Sequence, residues 1–161
     1  MVALYRLVSM NLPPFQRLVD QHARPLHRFL CGMVGPVAAD DCLQETLLAA
    51  LRSYEGLRHD GNLRGWLFTI ARRKGIDHVR KHAREIPSPS PPDRPTQPEA
   101  IRDTDLWDRV AGLPTKQRTA VTLRYLGDLP YAEIATVMSI SEPAARQNVR
   151  AGLASLRKDF T

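Results

Sequence analysis

YAEIATVMSISEPAARQNVRAGLASL, residues 131–156, is the stretch that decides how this chain folds and works outward to the rest. A short apolar helix ends at Met138, Ser139-Ile140-Ser141 makes a turn, and Ser141 is placed to cap a longer second helix. On that second helix Ala145, Val149, Gly152, Leu153 and Leu156 fall within one arc of about 100°, the signature of a face packed inward. Arg146, Gln147, Arg150 and Arg157 fall on a separate arc. The pattern predicts a helix-turn-helix. An Arg fork matches guanine O6 and N7, and a Gln amide matches adenine N6 and N7, so Arg146 and Gln147 near the helix start are candidates for base contacts. Arg157, further along, is placed for phosphate or solvent. Such turns commonly carry Gly where this chain has Ser139, which asks more of the backbone there. An ordinary helical hairpin with a basic face is the competing reading of the same periodicity.

Upstream of this motif, Ile101 to Leu113 reads as a helix with an acidic start (Asp103, Asp105, Asp108). Pro114 opens another helix through Leu126, and Gly127-Asp128 stops it. Pro130 then begins the helix carrying Ile134, Ala135, Val137 and Met138. Further upstream, residues 86–100, IPSPSPPDRPTQPEA, hold six prolines (Pro87, Pro89, Pro91, Pro92, Pro95, Pro98). Each lacks an N–H and fixes its own φ, so neither helix nor sheet is expected there. An extended polyproline segment rises about 3.1 Å per residue, which lets Pro87 to Pro98 span roughly 37 Å. The expected architecture is all-α: a helical domain over residues 1–85, a Pro-rich linker over 86–100, and a helix-turn-helix domain over 101–161, tethered with freedom to bind separated places.

In the first domain, a helix is expected to begin after Asn11 with Pro13 and Pro14 at its first turn. Phe15, Leu18, Val19, Leu26, Phe29, Leu30 and Met33 follow at helical spacing up to Gly35, and Pro25 predicts a kink or break. A second helix is expected from Val37 to Tyr54, with Leu43, Leu47, Ala50, Leu51 and Tyr54 inward and Asp40-Asp41 at its positive end. After a loop from Glu55 to Gly61, Asn62 can cap a third helix over residues 63–84. Its first half carries the apolar stripe Leu63, Trp66, Leu67, Ile70 and Ala71, which makes Trp66 a core residue sooner than a base-stacking one. At 100° per residue the stripe runs on into Lys74, Asp77 and Lys81.

Charge points the same way. The net charge is +6, and between Arg72 and Arg84 six cationic residues face one acidic residue, Asp77, so this segment supplies five of the six. Such concentration in one helical stretch favours a polyanionic partner over a merely solvated face. Cys31 and Cys42 lack metal or disulfide spacing and are expected to be buried, reduced thiols. No signal peptide or membrane-length apolar run is evident, which predicts a cytoplasmic protein. His78 and His82 stand at i, i+4, but cations surround them and no third ligand is evident. No nucleophile–base set stands out, and no Gly-rich Lys-Ser phosphate loop is present. The reading is therefore of a non-enzyme with no metal and no cofactor.

Three strings carry a family resemblance. LPTKQRTAVTLRYLGDLPYAEIATVMSIS (113–141) resembles region 4 of the sigma-70 family, ADDCLQETLLAALRSY (39–54) its region 2.2, and NLRGWLFTIARRKGIDHVRK (62–81) its regions 2.3 and 2.4. The short length, with a linker where larger sigma factors carry a middle domain, is similar to the extracytoplasmic-function (ECF) group. This resemblance implies a bacterial initiation factor that binds core RNA polymerase through the β′ clamp helices and the β flap and directs it to promoters. It implies that Asp41, Gln44, Glu45 and Thr46 dock on polymerase. It implies that the 55–61 loop, Asn62, Arg72, Arg73, Lys74, Asp77, His78, Arg80 and Lys81 take the −10 element, duplex and opened strand alike. Arg146, Gln147, Asn148 and Arg150 would read the −35 element, and an anti-sigma factor is an expected partner. Pro143-Ala144-Ala145 departs from a common Gly-Thr-Val, removing a phosphate-contacting hydroxyl, and Pro130 replaces a common capping Ser. A stand-alone helix-turn-helix regulator, which would need a dimer interface, and a protein-only adaptor are the alternatives.

Overall fold

Phe15–Val34 forms the first helix, α1, and its buried residues Leu18, Leu26, Phe29, Leu30 and Met33 recur at the helical period. The computed structural model of the chain describes residues 12–57, 61–85 and 101–158, with the side chains of 101–104 left aside. The Pro-rich linker and part of the 55–61 loop lie outside the described residues. Among the described residues there are seven helices and no strand. Pro25 sits inside α1 without breaking it, so of the kink or break expected there the break does not occur. A missing helical hydrogen bond and a ring clash cost about 3 kcal/mol, and the fully buried Leu26, Phe29 and Leu30 just beyond it hold the helix continuous against that cost.

Gly35 turns the chain at φ 85°, and Pro36 opens α2 (Pro36–Tyr54). The Asp pair does not lie in its first turn. Asp40 instead takes a hydrogen bond with His27 of α1 at 2.8 Å. The buried stripe of α2 is Ala39, Cys42, Thr46, Ala50 and Tyr54, three to four residues apart. Leu51, expected inward, lies one residue past that stripe, about 100° around the helix, and is 51% exposed.

Asn62 caps α3 (Leu63–Glu85) as expected, its Oδ1 accepting from the Gly65 N–H at 2.9 Å. The fully enclosed face of α3 is Gly65, Leu67, Phe68, Ala71 and Gly75. The stripe therefore runs on through Gly75, not through Lys74. A Cβ on Gly75 would stand 3.3 Å from the Met33 Cβ, so the bare glycine lets α3 cross close to α1. Trp66 is partly buried and stacks toward Tyr54 (ring centroids 6.1 Å apart), which in turn meets Phe15. The Tyr54 hydroxyl donates to the Pro13 carbonyl and ties down the start of α1.

The C-terminal helices are α4 (Ile101–Ala111), α5 (Thr115–Tyr125), α6 (Tyr131–Met138) and α7 (Glu142–Lys158). They do not sit apart from α1–α3. Gly32 of α1 faces Thr122 and Leu126 so closely that a Cβ would lie 2.3 Å from the Thr122 Cγ2. Phe68 meets Phe29 edge-on, and Gly127 lies against the Phe68 ring where a Cβ would be at 2.9 Å. Arg118, 8% exposed, sends Nη1 to the Met33 carbonyl at 3.1 Å and Nη2 to the Ala111 carbonyl. Arg64 grips Glu133 of α6 with two bonds of 3.0 and 2.5 Å. In this structure both helical groups share one core. Gly32 and Gly127 let the seam close, and such residues leave no hydrophobic period to read.

Candidate nucleic-acid interface

The helix-turn-helix forms from local rules. Ser139 takes the left-handed conformation (φ 54°, ψ 45°), and its N–H and that of Ile140 bond back to Thr136 and Ala135, closing α6. This is the position where glycine is the easier residue. Ser141 then caps α7, its Oγ accepting from the Ala144 N–H at 3.2 Å. Ala145, Val149 and Gly152 are buried, and Gly152 admits Val121 of α5 to within 2.6 Å of where its Cβ would be. Burying that face fixes which side of α7 meets solvent.

On the outer side Arg146, Gln147 and Arg150 are exposed. Arg146, Arg150 and Arg157 line one groove of about 280 Å³ with Tyr131, Val149, Leu153 and Ala154. Arg146 is held from two directions: it pairs with Glu142 at 2.7 Å, and its guanidinium carbon lies 4.4 Å from the Tyr131 ring centroid. Arg124 of α5 lies over the same ring at 4.5 Å and donates to the Leu129 carbonyl. Asn148 is half-buried and uses its amide on the Ala144 carbonyl of its own helix at 3.0 Å. One amide N–H of its side chain is thereby used within its own helix. Tyr131, Arg124 and Glu142 are absent from the residues picked out by sequence. An aromatic at a helix start carries no periodic signal, although its spacing before a basic helix was readable.

The second cationic region is the last three turns of α3. Arg73, Asp77, Arg80, Lys81 and Arg84 are exposed there, with Lys74 and His78 half-exposed. Lys81 reaches Glu85 only loosely, at 4.0 Å, and His78 and His82 stack with near-parallel rings 6.1 Å apart. Arg72 differs from its neighbours. It is half-buried, its Nε is enclosed without a partner, and burial, with Arg73 and Arg80 adding, pushes its guanidinium below the usual Arg range. Among the described residues no three metal-ligating side chains converge.

On α2, Asp41, Gln44 and Glu45 are exposed in neighbouring turns, beside the half-exposed Leu48 and Leu51. Thr46, expected with them, is corrected: it is fully buried and its hydroxyl donates to the Cys42 carbonyl at 2.7 Å. It faces the buried stripe, two residues, or about 200°, from the exposed Gln44. Cys31 and Cys42 are both buried and free. Burial, then Glu45 and Asp41, pushes the Cys42 thiol up to about 11. No helix among the described residues is long and apolar enough to cross a membrane.

Family models for Sigma-70 region 2 and Sigma-70 region 4 match residues 18–85 and 104–156. The ECF RNA polymerase sigma factor SigM of Bacillus subtilis is 31% identical over 135 residues, covering 78% of this chain and 82% of SigM. BldN of Streptomyces coelicolor, another ECF sigma factor, is 35% identical over 82% of this chain but only 54% of its own greater length. Among solved structures, the sigma factor RpoE of Bartonella quintana, crystallised in complex with the anti-sigma factor NepR, superposes with a TM-score of 0.73. It covers 89% of this chain and 94% of RpoE, and at 22% identity that likeness speaks for the fold.

Proposed function

The chain belongs to the ECF group of the sigma-70 family, RNA polymerase-associated factors for promoter-specific transcription initiation, and from that premise we propose that it holds a promoter at two points. In this reading α7 enters the duplex major groove at the −35 element, with Arg146, Gln147 and Arg150 meeting base edges or nearby phosphates. The end of α3, with Arg73, Lys74, Asp77, His78, Arg80 and Lys81, and with Asn62 and the loop before it, takes the −10 element and the strand opened there. Arg72 contributes from a half-buried position. Opening has an unstacking cost, which binding energy shared with polymerase offsets. Asp41, Gln44 and Glu45 form the polymerase face on the β′ clamp helices, and the residue 101–161 unit meets the β flap. The units are 1–85 and 101–161, joined by the 86–100 linker. A protein partner of the anti-sigma kind is part of the same reading, because the RpoE fold was crystallised with one.

The observation that carries this function is the exposed Arg146–Gln147–Arg150 side of a helix-turn-helix whose opposite side is buried. The closed packing adds a step. Elements about 25 base pairs apart lie roughly 85 Å from one another along a straight duplex at 3.4 Å per pair. A folded chain of this length has a radius of gyration of about 15 Å. The seam of Gly32, Thr122, Phe68 and Gly127 therefore opens before both elements are held, and the linker supplies reach. Reconstitution with core RNA polymerase and run-off transcription from a genomic promoter library tests the whole reading. Specific run-off products that weaken when Gln44→Ala and Glu45→Ala are combined are expected. Specific dimeric duplex binding without polymerase, and no run-off, overturns it in favour of a stand-alone regulator.

A further inference from the structure

Three arginines line the groove of α7, yet they are not equivalent. Arg146 alone among them combines an ion pair one turn back, to Glu142, with a contact from another helix, the ring of Tyr131 at the first position of α6. A guanidinium is held over an aromatic face by the ring's quadrupole, and it lies flat there because it is itself planar. The Tyr131 ring is half-buried and packed against the core. Arg124, held by its bond to the Leu129 carbonyl, lies over the same ring. A bidentate contact with a guanine needs the fork aimed in one direction, and a long side chain aimed beforehand loses less rotamer freedom on binding.

Resting on the −35 reading above, we propose that Tyr131 is a positioning residue that aims the Arg146 guanidinium and thereby sets the base preference at the one −35 base pair Arg146 meets. Tyr131 itself touches no base in this assignment. The π face is the working part, so phenylalanine serves in its place and an aliphatic side chain of similar bulk does not. Arg150 and Arg157, which have no such contact among the described residues, report on general affinity.

The test uses the full chain with core RNA polymerase on a promoter library randomised across the −35 element, counting transcripts per sequence. Arg146→Ala is expected to flatten preference at one base pair. Tyr131→Leu is expected to flatten preference at that same pair by about fivefold and at no other. Tyr131→Phe restores the original profile, and Tyr131→Leu combined with Arg146→Ala is no flatter than Arg146→Ala alone. Pentafluorophenylalanine at position 131 keeps the ring's shape but reverses its quadrupole. It is expected to flatten the same pair with an unchanged melting temperature, which covers the case in which the leucine variant does not fold. An unchanged profile with the fluorinated ring, or a Tyr131→Leu loss spread evenly over all sequences, overturns the inference while leaving the −35 reading in place. If Arg146→Ala changes no base preference, the −35 assignment of Arg146 falls and this inference falls with it.

Discussion

The two cationic regions of this molecule are built in opposite ways. On α7, Arg146 has an ion pair and a ring contact, Asn148 is bonded to its own backbone, and a capped left-handed turn fixes the helix in place. On the end of α3, Arg73, Lys74 and Arg80 make no side-chain hydrogen bond or ion pair among the described residues, and Lys81 has only a 4.0 Å contact. Ordered side chains suit a duplex, whose base edges stand at fixed places. Loosely held charges suit a backbone that changes shape as strands part, since they can follow phosphates without a preset geometry. In the two-point reading proposed above, the same residue types would do different work according to whether the fold gives them partners.

The largest expected effect comes from removing charge where it is loose. Lys74→Ala, Arg80→Ala and Lys81→Ala together are expected to lower promoter affinity on the order of a hundredfold at physiological salt. The slope of log affinity against log salt should fall by roughly two, at about 0.7 per single-strand phosphate contact. Base preference should stay as it was. Filter binding or anisotropy of holoenzyme across a salt series measures both, and a changed preference with an unchanged slope breaks the contrast.

Next in size is a paired swap. Arg146→Lys keeps the charge but loses the planar fork, so discrimination at one −35 base pair should drop by about 2 kcal/mol. Arg80→Lys, the same swap on the loose face, is expected to change neither preference nor salt slope. Equal effects at both positions would erase the distinction between an ordered and an unordered face.

How much of this was legible beforehand follows the same division. The helix-turn-helix, its inward Ala145–Val149–Gly152 stripe, the Ser141 cap and the Asn62 cap are consequences of local spacing, and they were readable from residues alone. Exposure of the basic end of α3 was readable too. The seam was not: Gly32 and Gly127 work through the absence of a side chain, and Arg118 reads as a surface cation until its partners Met33 and Ala111, distant or out of register, are known. Thr46 was misplaced because a resemblance assigns a helix to a partner, whereas only the helical phase says which of its residues face that partner. Leu51 fell to the same error of phase, by one residue.

The seam gives the third prediction, of about 1 kcal/mol. Arg64→Ala removes the grip on Glu133, a partly exposed pair, and is expected to favour separation of the two helical groups about fivefold. Small-angle scattering of the free protein should show a larger radius of gyration. Acid is expected to lower the stability of the folded chain as well. Burial, and then the nearby Arg64 charge, hold His22 below its ordinary value of 6.5, with Glu133 opposing. Its contribution to folding is therefore fully present above pH 6.5 and is lost as pH falls through the lowered value. A melting temperature that does not fall on acidification would show Glu133 to offset the burial.

The smallest effect tests the ordered side at its pivot. Ser139 holds a left-handed backbone, which costs a residue with a Cβ roughly 1–2 kcal/mol relative to glycine. Ser139→Gly relieves that, while the freer unfolded chain takes back about 0.4–1 kcal/mol. The net expectation is a gain of about 0.5–1 kcal/mol, or roughly 2 °C in melting temperature for a chain of this size. Because the hydrogen bonds from Ser139 and Ile140 to Thr136 and Ala135 are made by the backbone, glycine keeps them, and α7 should stay at the same angle to α6. The −35 base profile should then be unchanged even as stability rises. A variant that is more stable yet reads the −35 element less selectively would mean that the strain at Ser139 helps to aim α7. The aim of Arg146 would in that case come from the turn as much as from Tyr131 and Glu142.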